Sequence, residues 1–379
     1  MTLRFLFGAM FLLCVSPLTK ASAILPDRGE IDGWLKPLGA DNHFDPQKGI
    51  NWGIVPGPFY TPELGAGIGA AMVGMYRTHP QDTADQNSVV TISGYTSSTG
   101  ALGINLQNYS FFPGDRWRVF LNGKLNNTPS WYWGPGFSAG KHKNHRQKYT
   151  AREISLSPEI LRRLWTNSYF GLGWDFSSFH AAKPGKGPRL VQNAPGGPSL
   201  LNSGMSFQLL YDSRDFIANP SRGRMFSLSD TVYTPELGSD SRFNVLTTRY
   251  SQYHAFTSRD TLAWEVSGEF TSGSVPWISL PTLGSSQRMR GYYPGRYRSR
   301  DTLSGQVEYR RRLAWRHGVV AWLGGGTMGS DMDALSHSRW LPSVGVGYRF
   351  AFKPKMNVRL DYGVGQHSSS FYFQVGEAF

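Results

Sequence analysis

The chain has 379 residues, with 39 lysines and arginines against 26 aspartates and glutamates, a formal charge of +13, and one cysteine. A lone cysteine excludes a disulfide framework and a cysteine-built metal site. No helix-turn-helix or zinc-finger spelling accompanies the basic balance, which sets nucleic-acid binding aside.

Residues 1–23 read as a signal peptide. Arg4 supplies the positive start, Phe5 to Leu18 is mostly apolar, and Ala21-Ser22-Ala23 has the small residues of a cleavage site. The apolar run falls short of the roughly 20 residues of a transmembrane helix. Cys14 raises a lipoprotein alternative, but Leu12 and Leu13 are bulky where lipid transfer needs small residues. Cleavage after Ala23 removes Cys14. Residues 24–50 hold Pro26, Pro37 and Pro46 with mixed charges and are too few for a domain of their own. They are expected to be a short lead-in or a partial plug.

From residue 51 to 379 the chain reads as a succession of strands with period-2 alternation. Leu262, Trp264, Val266 and Phe270 share one face, and Ala263, Glu265, Ser267 and Glu269 the other. Leu303, Val307 and Tyr309 oppose Ser304, Gln306, Glu308 and Arg310. Met356, Val358, Leu360, Tyr362 and Val364 oppose Asn357, Arg359, Asp361 and Gly363. At the end, Phe371, Phe373, Val375 and Phe379 alternate with Tyr372, Gln374, Gly376 and Ala378. Strands of about 9–11 residues with one apolar and one charged face suit lipid outside and a hydrated lumen inside. The expected fold is all-β, a transmembrane antiparallel barrel of about sixteen strands, an even number as single-chain barrels require. Long connections at 128–148, 180–201, 273–300 and 328–339 alternate with short ones at 113–115, 257–259 and 353–355. The segment 77–87 is long for a turn, and Pro158 removes a ladder donor inside a strand.

Gly136-Phe137-Ser138-Ala139-Gly140 has the spelling of a nucleophile elbow, which works only on a strained strand-to-helix turn. It follows Trp131-Tyr132-Trp133 in a glycine-rich loop without a helix signal, so no catalytic residue is assigned. His142 and His145 sit among lysines and an arginine, which disfavours a metal; His254, His317 and His367 fall near strand ends. No cofactor is implied. Tyr250, Tyr253, Trp277, Trp315 and Trp340 are expected in a headgroup-level girdle. The basic run 141–148 reads as a solvated loop, with lipopolysaccharide phosphates and phospholipid head groups as its nearest anions.

Three blocks resemble the barrel of the BamA/TamA superfamily, the bacterial surface antigen family. The first is Tyr211-Asp212-Ser213-Arg214-Asp215 with Asn219-Pro220-Ser221-Arg222-Gly223, similar to the family's periplasmic hairpin. The second, residues 284–297, contains Arg290-Gly291-Tyr292 and resembles the sixth extracellular loop, whose arginine-glycine-aromatic tip folds into the lumen. The third is Arg359-Leu360-Asp361-Tyr362-Gly363 with the final Phe379.

The resemblance implies a barrel in the outer membrane of a Gram-negative bacterium, closed between its first and last strands. It also implies an arginine lock: Glu308 matches the acidic partner on strand 12. The strand-13 pattern aromatic-x-aspartate-x-glycine aligns with Trp322-Leu323-Gly324-Gly325-Gly326, so Gly324 stands where the family has aspartate. The lock should be weakened unless Asp361, Glu265 or Glu269 compensates. Phe379 is implied as the assembly signal read by the outer-membrane assembly machinery. Residues 24–50 cannot hold the family's periplasmic polypeptide-transport repeats, which points to a separate periplasmic partner. The implied function is transport or insertion of lipid or polypeptide; a passive pore and an outer-membrane lipid hydrolase are the alternatives.

Overall fold

The computed structural model describes residues 28–40, 44–61, 64–81, 86–142, 144–186 and 188–379. The signal-peptide assignment, residues 1–23, lies outside the described residues.

Sixteen antiparallel strands form one sheet in chain order. The first half comprises β1 (Asn51–Thr61), β2 (Gly65–Tyr76), β3 (Ser88–Ser97), β4 (Leu102–Phe111), β5 (Trp117–Tyr132), β6 (Gln147–Trp165), β7 (Ser168–Ala182) and β8 (Ser199–Asp212). The second comprises β9 (Gly223–Tyr233), β10 (Phe243–Ala255), β11 (Asp260–Gly273), β12 (Asp301–Ala314), β13 (His317–Gly329), β14 (Leu341–Lys353), β15 (Met356–Gly365) and β16 (Ser368–Val375). Alternation is what curls this sheet. Ile154, Ile160, Leu209, Leu323 and Val346 are about half or more exposed, while Glu265, Glu308 and Asp361 are buried. Water outside would invert that arrangement, so the outer surface faces lipid.

The connections 133–146, 183–198, 274–300 and 330–340 share one end of the barrel. Short helices lie in two of them, α1 (Gly136–Lys141) and α2 (Met332–His337). The tight turns 256–259, 315–316 and 354–355 share the other end. There the N-terminal helix Arg28–Leu35 docks: Asp32 pairs with Arg316 at 3.0 Å, and Arg316 also donates to the Ala40 carbonyl at 2.9 Å.

Three details depart from the alternating ideal, each for a chemical reason. Pro158 lies inside β6, and the β6–β7 ladder passes from Leu156↔Phe176 to Glu159↔Gly173, skipping the residues around the missing donor. The expected closure of β1 on β16 is looser than a ladder: among the described residues no strand pairing joins them, although they lie side by side. Pro56 and Pro58 sit in an unbroken β1–β2 register. Their nitrogens cannot donate, and such prolines are tolerated where the nitrogen faces the open edge.

The third departure concerns Phe379. The last strand stops at Val375, and Gly376, at φ 85°, turns the tail inward. Phe379 therefore leaves the lipid face shared by Phe371, Phe373 and Val375 and packs with Tyr253, Ala263 and Ala378. Arg310 in β12 donates to its backbone oxygen at 2.9 Å. Trp277 and Tyr253 likewise belong to interior clusters rather than to the girdle, Trp277 against Tyr132, Tyr149 and Phe179.

Candidate functional site in the barrel lumen

Loop six, residues 274–300, leaves β11, forms a two-residue ladder of Thr282–Leu283 with Tyr297–Arg298, and returns to β12. Its tip carries Arg290, which is fully buried. The guanidinium lies 2.6 Å from Glu308 of β12 and 2.8 Å from Asp361 of β15. It stacks over the Trp322 ring of β13 with the central carbon 3.6 Å from the centroid. Two carboxylates and a ring face thus enclose one delocalised cation, the arrangement for which arginine suits better than lysine.

The loop backbone is held as tightly as the side chain. Ser343 donates to the Arg290 carbonyl at 2.7 Å, and the Gly291 amide donates to the Tyr372 hydroxyl at 3.0 Å. Tyr292 donates to the Pro342 carbonyl at 2.6 Å and accepts from the Gln366 amide at 2.7 Å. Gly291 has φ +103°, and a Cβ there would come within 2.7 Å of the Gly365 nitrogen. Only glycine lets this tip lie directly on β15.

Gly324 faces inward, paired with Gln306 on one side and Ser343 on the other. Gln306 stands beside the place of the family's aspartate, its oxygen 3.4 Å from Arg290. The second carboxylate comes instead from Asp361, across β14, so Arg290 is not short of acidic partners. Glu265 and Glu269 serve another cation, Arg288, at 2.9 and 3.6 Å. A Cβ at Gly324 would sit 2.7 Å from the Gly305 carbonyl oxygen, and Gly326 makes room for Met289 and Leu283. Gly324→Asp is therefore expected to loosen the β12–β13 ladder rather than reinforce the lock. Its heat-modifiable transition in detergent should fall; an unchanged or higher transition would contradict the steric reading.

Around Arg290 the cluster grows toward the short-turn end. Arg349 bonds Asp361 at 2.6 Å and Glu377 at 2.7 Å, and Arg359 bonds Asp361 at 2.9 Å. Arg310 bonds Glu308 at 2.8 Å and reaches the Pro220 carbonyl at 3.2 Å. Four arginines (290, 310, 349 and 359) meet three carboxylates (308, 361 and 377). Arg349 and Glu377 were not singled out from the sequence. Both lie far from loop six along the chain, and the loop's descent against the β12–β15 wall is what brings it near them.

The hairpin motif between β8 and β9 forms a second charged knot. Asp212 accepts from Arg118 and Arg214, each at 2.8 Å. Asp115, which pairs with Arg118 at 2.6 Å, also accepts from the Tyr169 hydroxyl. Asp215 accepts from the Ser221 amide at 2.8 Å and from Lys355 at 2.9 Å. Burial raises the Asp215 pKa, but these donors outweigh it and hold the carboxyl below its usual range. Gly223, at φ 97°, passes so close to the Ser213 carbonyl that a Cβ would not fit.

The elbow spelling at 136–140 has a packing role. It lies on α1 itself, contrary to the loop expected there. Arg296 donates to the Gly140 carbonyl at 2.8 Å, and a Cβ on Gly140 would strike Tyr297.

An apolar exterior, a charged interior and an arginine-tipped loop held against the inner wall define a membrane-spanning barrel with a loop folded into its lumen. Residues 90–379 match the Omp85 superfamily domain, and the chain belongs to that family. Its fold is similar to BamA from Haemophilus ducreyi lacking POTRA domains 1-3, with TM-score 0.52 and 13% identity over 86% of this chain and 69% of that one. It is also similar to CdiB from Escherichia coli, with TM-score 0.57 and 14% identity over 86% of this chain and 62% of the other. CdiB from Acinetobacter baumannii gives TM-score 0.53 and 10% identity, over 85% and 58%. The chain thus spans less than two thirds of either CdiB. No curated protein matches it.

Proposed function

We propose that this chain is an outer-membrane barrel of a Gram-negative bacterium that transports or inserts lipid or polypeptide, with a separate periplasmic partner. The β1–β16 seam is its lateral exit, and loop six holds the lumen in the resting state. What supports this reading is the seam. Among the described residues fifteen neighbouring strand pairs are laddered, but no ladder joins β1 and β16, and the prolines of β1 withhold donors on that side. A barrel built only as a wall has every reason to zip its last pair, because unpaired edges inside lipid cost several kcal/mol per group.

Photo-crosslinking tests this. A benzophenone residue replacing Tyr60 on β1 is compared with one replacing Leu209 on β8; both positions are outward and about half exposed. Polypeptide or lipopolysaccharide adducts recovered from native membranes should be several-fold enriched at position 60. Equal adducts at both positions would remove the seam from the mechanism.

A further inference from the structure

The outward face of β6 reads Lys148, Thr150, Arg152, then Ile154, Leu156, Pro158, Ile160, then Arg162. Ile154 and Ile160 are each more than half exposed. Arg152 and Arg162 are separated by about 33 Å along the strand at a rise of about 3.3 Å per residue. With a tilt near 45° that is about 23 Å along the membrane normal, close to the roughly 25 Å apolar band of such barrels. The two arginines therefore stand at opposite headgroup levels. Arg152 and Lys148 mark the end that carries the long loops, the extracellular one by the usual rule.

At that level the surface is basic on every side. Trp131 of β5 pairs in register with Lys148, and Arg146 stacks on the Trp131 ring at 3.9 Å. His180 of β7 pairs with Arg152. The loop 183–198 is tied to the same spot, its Gly185 amide donating to the Lys148 carbonyl at 2.7 Å, and it brings exposed Lys186. The outward positions of β5, β6 and β7 contain no aspartate or glutamate, nor do residues 133–152 and 176–199. Glu153 and Asp175 of β6 and β7 fall on the opposite, inward parity, Glu153 bonding Lys124 at 2.8 Å.

A solvated loop scatters its cations or balances them with acids. Here Lys148 and Arg152 stand on a strand of the wall, directly above a lipid-facing apolar surface, and among the described residues no carboxylate pairs with them. A ligand that satisfies both has acyl chains below and phosphate at the boundary. We infer that the extracellular outward face of β5–β7 is a binding site for the phosphorylated glycolipid of the outer leaflet, lipopolysaccharide. Its phosphates lie against Arg152, Lys148 and Arg146, and its chains against Ile154 and Leu156. Arginine suits the phosphate through paired donors, and the stacked Trp131 holds Arg146 in place. This inference needs the barrel and its orientation, not the transport reading.

The full chain in detergent, analysed by native mass spectrometry, provides the test. Diphosphoryl lipid A is the probe, with dephosphorylated lipid A and phosphatidylglycerol as comparisons. The triple variant Arg146→Gln/Lys148→Gln/Arg152→Gln should retain at least tenfold less diphosphoryl lipid A, and Arg162→Gln, at the other headgroup level, should retain it normally. Dephosphorylated lipid A should bind the unaltered chain at least tenfold more weakly. Heat-modifiable migration checks that the triple variant folds; if it does not, Arg152→Gln alone should still lower retention several-fold. Equal retention by the folded variant overturns the site. Equal binding of dephosphorylated lipid A or of phosphatidylglycerol overturns the assignment to a phosphorylated glycolipid.

Discussion

Glu308→Ala is expected to destabilise the barrel more than Arg290→Ala, while Arg290→Ala is expected to disturb conductance more. The asymmetry follows from the charge balance in the lumen. Removing Arg290 leaves Glu308 paired with Arg310 at 2.8 Å and Asp361 paired with Arg349 and Arg359 at 2.6 and 2.9 Å. Three arginines then face three carboxylates, and the cost is lost hydrogen bonds and the vacated ring face, roughly 1–3 kcal/mol. Removing Glu308 leaves four buried arginines sharing Asp361 and Glu377, with Arg310 left to the main-chain oxygens of Pro220 and Phe379. Uncompensated buried charge of that kind costs roughly 3–5 kcal/mol. Loop position responds in the opposite order. Without Glu308, Arg290 still holds Asp361 at 2.8 Å; without Arg290 the tip loses its ionic contact with β12 and β15, and the loop keeps only the Arg288 pairs with Glu265 and Glu269 beside the bonds of Ser343, Tyr372 and Tyr292. Urea unfolding in detergent and single-channel recording in planar bilayers should therefore rank the two variants in opposite orders. The same rank in both measurements would mean that the cluster does not act as separate loop and wall contacts. The double variant, with three arginines and two carboxylates, returns to the unaltered chain's excess of one cation and should recover part of the stability lost by Glu308→Ala.

Much of this wall was legible because alternation is local. Glu265, Glu308 and Asp361 could be placed inward from their neighbours two residues away, and loop six was marked by Arg290-Gly291-Tyr292. The identity of the second acidic partner was not local. Asp361 was one of three candidates, and choosing among them requires knowing that β14 is narrow opposite it: Gly345 leaves room for Trp322 and Gly347 for Asp361. The end of β16 was hidden for a similar reason. Residues 371–379 alternate well enough to be one strand. The tail turns in because Glu377 meets Arg349 and Asn357, at 2.7 and 2.6 Å, and because its own amide bonds the Ala218 carbonyl in the 213–222 connection. Nothing in a nine-residue window reports those partners. Trp277 illustrates the same limit: an aromatic residue near a strand end reads as girdle, yet its indole donates to the Gly197 carbonyl at 2.8 Å under the extracellular loops.

Asp212→Ala is expected to cost the barrel about as much as any single change at the short-turn end. Its carboxylate takes one bond from Arg118 at 2.8 Å and several from Arg214, two through the side chain at 2.8 and 3.1 Å and one from the backbone amide at 3.2 Å. Arg118 has a second partner, Asp115, at 2.6 Å, and lies over the Tyr169 ring at 3.9 Å. Arg214 has no other carboxylate in the knot, and its side chain is 7% exposed. Truncating Asp212 thus strands one guanidinium and half-strands another, and breaking a buried pair in this way costs roughly 3–5 kcal/mol. Asp212→Asn retains the shape but removes the charge; it should recover part of that loss through its amide oxygen, which can still accept from Arg214. Because the knot ties β5 to the β8–β9 hairpin and shares no side chain with the Arg290 cluster, conductance should stay near that of the unaltered chain wherever the variant folds. Urea midpoints in detergent would show the order Asp212, then Asn, then Ala. An alanine variant as stable as the unaltered chain would mean that water reaches Arg214 and the knot is not sealed.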